Sequence, residues 1–95
     1  MVTICAILKA KPGNEQSLRD VLIKLIEPSR AESGCMDYTL HNSLEDKGTF
    51  VFYESWIDEE AVQAHIKTDH YQTYRQNAEG LLDTREVHRL KKIVF

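Results

Sequence analysis

The chain has 95 residues, 42% hydrophobic and 28% charged, with a net charge of −3. That length fits one domain over residues 1–95, and that composition excludes intrinsic disorder. Basic residues are dispersed apart from Lys91-Lys92, which argues against nucleic acid as a partner, and no apolar run approaches the roughly 20 residues that cross a bilayer.

Val2 to Lys9 is a β-branched and aliphatic run, and Lys11-Pro12-Gly13-Asn14 follows as a turn, so a strand is expected there. Leu18, Val21, Leu22, Leu25 and Ile26 then recur at the spacing of one helical stripe, with Asn14 as a candidate cap and Glu15 at the positive end of the dipole. Pro28 removes a backbone donor near the end of this helix, and Gly34 suits the exit from it. Cys35 to Ser43 and Phe50 to Trp56 read as two strands joined by a short polar turn, hence an antiparallel hairpin. Asp58 caps a short helix whose first turn carries Glu59 and Glu60. A second helical piece starts near Thr68 with Tyr71, Tyr74, Ala78, Leu81 and Leu82 on its apolar side, and Arg85 to Phe95 reads as the last strand.

The order β-α-β-β-α-β is the ferredoxin-like plan, an antiparallel sheet with helices on one face. In the third strand, Phe50, Phe52, Glu54 and Trp56 share one parity; in the first strand, Val2, Ile4, Ala6 and Leu8 do. The opposite parity, Thr3-Cys5-Ile7 and Val51-Tyr53-Ser55, is too mixed for a fully wet face. A domain this small also gains from covering a face, so a two-fold homodimer, sheet against sheet, is expected. The segment MVTICAILKAK lacks a basic leader and a small-residue cleavage site, and Cys5 and Cys35 form no CxxC. The expected location is therefore cytoplasmic, with reduced thiols.

Three groups of residues carry a resemblance: Ser33-Gly34-Cys35 with Tyr38; Phe52 through Glu54-x-Trp56-x-Asp58; and Ala64-His65-x-x-Thr68-x-His70. With the opening strand and Lys11-Pro12-Gly13, this ordered set resembles the antibiotic biosynthesis monooxygenase family over essentially the whole chain. The resemblance implies a dimeric α+β barrel. It also implies an activity among those of the family: oxidation of aromatic or quinol substrates with dioxygen and no cofactor, haem degradation, or turnover of a small phosphorylated signalling molecule. The haem-degrading members carry a Trp where this chain has His65 and a haem-ligating His where it has Arg75, so the resemblance disfavours haem degradation here.

His65 is the candidate base, since an imidazole takes up and returns a proton near neutral pH. Glu54, one strand away, is the candidate that orients it. The alternative for His65 is a structural histidine bonded to a backbone carbonyl, and for Glu54 a carboxylate that ties down amides or an arginine. Trp56, Phe52, Tyr38, His70, Tyr71 and Tyr74 are candidate substrate contacts, with plain core packing, or helix capping for His70, as the alternative. His41 and His88 receive no role. No metal site is expected: a five-residue spacing puts His65 and His70 on different faces of one helix, and Glu54 would have to supply a third ligand. Three functions fit these residues. The first is a cofactor-independent monooxygenase of a small aromatic or quinol substrate. The second is an isomerase or lyase of a small polar metabolite, with Arg75, Arg85 or Arg89 as an anion clamp. The third is a ligand-binding dimer without catalysis.

Overall fold

The computed structural model describes residues 1–94. Its elements are β1 (Val2–Ala10), α1 (Glu15–Arg30), β2 (Cys35–Asn42), β3 (Thr49–Trp56), α2 (Glu59–Ile66), α3 (Asp69–Glu79) and β4 (Leu82–Leu90). The strands form one antiparallel sheet in the order β2-β3-β1-β4, which is the expected ferredoxin-like plan.

Register decides which residues meet. Ile4 lies opposite Glu54 and Arg89, Ala6 opposite Phe52 and Val87, and Leu8 opposite Phe50 and Arg85. Cross-strand partners share a face, so Arg85, Val87 and Arg89 join the helix-covered side. Ile4, Ala6, Leu8, Phe50, Phe52, Glu54 and Trp56 are buried there with Leu18, Leu22 and Leu25 of α1. On the other face Thr3, Cys5, Ile7, Val51 and Ser55 are half-buried and Tyr53 is exposed. Both cysteines are free, and no helix among the described residues is long and apolar enough to cross a membrane.

Two local expectations need correction. Asn14 precedes α1, but its side chain makes no cap bond; instead the Glu15 carboxylate accepts the N–H of Gly13, where φ is 90°. Glycine reaches that left-handed backbone without a Cβ clash. The last strand runs over Leu82–Leu90 rather than Arg85 to Phe95. Leu82 already pairs with Ala10 directly after α3, and Leu90 pairs with Thr3, so β1 has almost no chain left to template Ile93 and Val94. Phe95 lies outside the described residues.

Candidate functional site

Glycine chemistry at one turn brings the site together. After α1, the chain turns through Ala31-Glu32-Ser33-Gly34, closed by the bond from the Cys35 N–H to the Glu32 carbonyl. The Gly34 carbonyl accepts the N–H of Ile57, and a Cβ placed on Gly34 would lie 2.3 Å from the Ala61 Cβ. Only glycine lets α2 sit this close to the turn. Asp58 fixes the start of α2 by accepting the Ala61 N–H at 2.8 Å. Ala61 and His65 stand four residues apart on one helical face. Seating Ala61 on Gly34 thus carries His65 to Glu32, two residues before that glycine.

The chain then breaks. Thr68 donates its hydroxyl to the His65 carbonyl at 2.7 Å and accepts the Tyr71 N–H at 3.2 Å, ending α2 and capping α3. This reorientation returns His70 to the same carboxylate. Glu32 Oε2 lies 2.6 Å from His65 Nδ1 and 2.8 Å from His70 Nε2. Spacing on a single helix would have kept the two histidines apart, but they occupy two helices and face one oxygen. Thr68, rather than His70, is the cap of α3.

His65 is 3% exposed. Its ring stacks at 4.5 Å from the indole of Trp56 and meets Tyr71 edge-on at 5.0 Å. An ionised carboxylate only accepts hydrogen bonds, so Nδ1 carries the ring proton toward Glu32. Nε2 is then left with a lone pair, and it is buried without a hydrogen-bond partner among the described residues. Burial holds the imidazole below its ordinary pKa, against the opposing hydrogen bond and charge of Glu32. The ring is accordingly neutral at physiological pH, with an open acceptor.

Glu54 does not orient His65. Its carboxylate accepts the indole N–H of Trp56 at 2.9 Å. It sits 6% exposed beneath the helices, and burial pushes its pKa up to about 7 despite that bond and the nearby Arg85.

A cavity of about 90 Å³ lies against the helix-covered face. Tyr38, Phe52, Glu54, His65, Tyr71, Tyr74 and Arg85 line it, together with aliphatic side chains and the exposed Val87 and Arg89. Trp56, fully buried, and His70 are not among its lining residues. Arg85 donates to the Tyr71 hydroxyl at 3.1 Å and the Tyr74 hydroxyl at 3.4 Å, and forms no ion pair among the described residues. Burial raises the phenol pKa of Tyr38 and of Tyr74, so both rings stay neutral. Arg89 is engaged by Glu59, and Arg75 is not part of the cavity wall.

Sequence reasoning passed over Glu32. It lies in an aperiodic turn, where burial patterns say nothing. The available signal was an acidic residue directly before Ser33-Gly34, a turn that the chain must pack tightly.

The family model for "Antibiotic biosynthesis monooxygenase" matches residues 1–77. A Bacillus subtilis protein named "Putative monooxygenase YcnE" is 33% identical over 82 residues, covering 86% of each chain. The Mycobacterium tuberculosis protein named "Putative monooxygenase Rv0793" is 36% identical over 81 residues, 85% of this chain and 79% of that one. Among solved structures, PA3566 from Pseudomonas aeruginosa superposes with a TM-score of 0.94 at 33% identity, covering 98% of this chain and 94% of its own.

Proposed function

Because the chain belongs to the antibiotic biosynthesis monooxygenase family, we propose that it is a cofactor-independent monooxygenase of a small aromatic or quinol substrate, using dioxygen. The observation that carries this reading is the buried, unpartnered Nε2 of His65 in an aromatic-lined cavity, with the opposite ring nitrogen held by Glu32. His65 Nε2 accepts the proton of a substrate hydroxyl, and Glu32 stabilises the imidazolium that forms. Arg85, whose partners are the hydroxyls of Tyr71 and Tyr74, faces the substrate anion. The anion passes one electron to dioxygen. The substrate radical and superoxide combine to a peroxide anion, and the His65 imidazolium returns its proton to it. Loss of water with the hydrogen of the oxygenated carbon leaves one oxygen atom in the oxidised product. Tyr38, Phe52, Tyr71 and Tyr74 pack around the ring. The half-buried sheet face with Tyr53 supports a homodimer formed sheet to sheet.

Oxygen uptake by purified, metal-free protein with a panel of reduced quinols, corrected for autoxidation, tests this reading. His65→Ala, checked for folding by circular dichroism, is expected to fall to the blank. Full uptake in the folded variant would remove His65 from the chemistry.

Arg85 also favours a second reading. A guanidinium in the cavity without a carboxylate partner among the described residues suits a small anionic, for example phosphorylated, metabolite, and the His65–Glu32 pair serves enolisation equally well. Turnover unchanged after oxygen is removed would select this isomerase or lyase reading over the first.

A further inference from the structure

We propose that Glu32, His65 and His70 form a binding site for a divalent transition-metal ion of the Zn2+ type. One donor atom from each of the three lies within 4.8 Å of the others, and they come from three separate elements: the turn after α1, helix α2 and the first turn of α3. The set is two imidazoles and one carboxylate. That combination recurs with zinc and iron, whereas magnesium and calcium prefer all-oxygen ligands.

The carboxylate contacts must open modestly, and the two imidazole nitrogens, within 4.8 Å of each other, must draw toward the same spacing. Metal–ligand bonds of about 2.0–2.2 Å place neighbouring donors roughly 3–3.5 Å apart. The two contacts to Glu32 Oε2, at 2.6 and 2.8 Å, must therefore open by less than about 1 Å. Glu32 is the member free to retreat, because it stands in a turn and its side chain is 14% exposed. The imidazole of His65 is held by Trp56 and Tyr71, and the break at Thr68 fixes where His70 enters α3. The side chain of His70 is 25% exposed, which gives an ion a route from solvent. An entering ion takes the place of the protons that now bridge the imidazoles to Glu32. Three protein ligands leave a coordination position for water.

Occupancy has a consequence for the neighbouring cavity. An ion on Nδ1 leaves the proton of the neutral ring on Nε2, turning that atom from acceptor to donor. If His65 is the base, a bound ion and proton abstraction exclude each other. This consequence rests on the proposed function, whereas the metal site does not.

The test is equilibrium dialysis of metal-free protein against Zn2+, with Co2+ as a spectroscopic probe of nitrogen ligation. Wild type is expected to take up one ion per chain at micromolar free metal or below. Glu32→Gln and His70→Ala, each verified as folded, are expected to weaken binding about tenfold or more. His88→Ala, which removes the ring paired with Glu86 on the other sheet face, is expected to change nothing. Binding only at millimolar metal, or binding that survives both site variants, would overturn the proposal. Neither readout depends on turnover, so a failed oxygen-uptake assay leaves this test intact.

Discussion

Glu32 and Glu54 are two carboxylates beside one histidine, and their surroundings send them to opposite tasks. Glu32 sits in a turn with partial access to water and two imidazole nitrogens on one oxygen. Glu54 sits on a central strand under the helices, with the Trp56 indole N–H as its donor and a pKa pushed up to about 7. Negative charge is shared with donors at the first site and resisted by burial at the second. Proximity in the strand order made Glu54 look like the partner of His65, but hydrogen-bond geometry gives that place to Glu32. A carboxylate that must hold charge beside a base needs donors and some solvent. A carboxylate facing an apolar cavity can instead keep its proton near neutral pH and offer it to a ligand.

Trp56 supports both sites, so removing it breaks the comparison most severely. Trp56→Ala deletes the indole N–H that Glu54 accepts, one face of the His65 ring and a fully buried core side chain. Chemical denaturation is expected to show a loss of about 4 kcal/mol. Trp56→Phe, which keeps the ring but loses the N–H, is expected to cost less and to raise the pKa of Glu54 further.

Next in size is the pH response of Glu54. Its folded pKa lies above the ordinary carboxyl value of 4.5, at about 7. The folded state therefore holds this proton more tightly than the unfolded chain. Its contribution to stability is complete below about pH 4.5 and is lost as pH rises through 7. Between pH 5 and pH 8, wild type is expected to lose roughly 2–3 kcal/mol relative to Glu54→Gln in urea titrations. Parallel profiles for the two proteins would mean that Glu54 is ionised throughout.

Gly34→Ala probes the Glu32 side without touching a polar atom. The added Cβ meets Ala61 at 2.3 Å and must push α2 from the turn. A cost of about 2 kcal/mol is expected. A larger effect is expected on the His65–Glu32 contact, read as a changed ring chemical shift for His65 in NMR spectra. An unchanged shift would show that the turn and helix can separate while the histidine stays in place.

Much of the fold was readable from periodicity. The Leu18-Leu22-Leu25 stripe and the Phe50-Phe52-Glu54-Trp56 parity are burial patterns; the first identified α1, though the helix ends at Arg30, before Gly34, and the second placed β3 within a residue of its observed bounds. Asp58 was readable as a cap because capping is local chemistry. The last strand was not: an apolar tail resembles a strand, but its pairing depends on how much of β1 remains opposite it. At the site, His65 stood out by residue type, whereas its partner Glu32 lies 33 residues away in an aperiodic turn. The meeting of His65 and His70 depends on a helix break whose effect on direction is three-dimensional. Residue type thus named candidates, and long-range packing chose the partners.

The contacts of Glu32 with His65 and His70 span 33 and 38 residues of chain. Glu32 belongs to the first βα half of the domain and both histidines to the second. Such contacts form only after the entropy of closing a long loop has been overcome. Neither half contains a working fragment of this constellation, so the chemistry appears only when the whole domain has assembled. The site is therefore also a marker of completed folding: a partly folded chain can carry its helices and its hairpin and still have no base held in place.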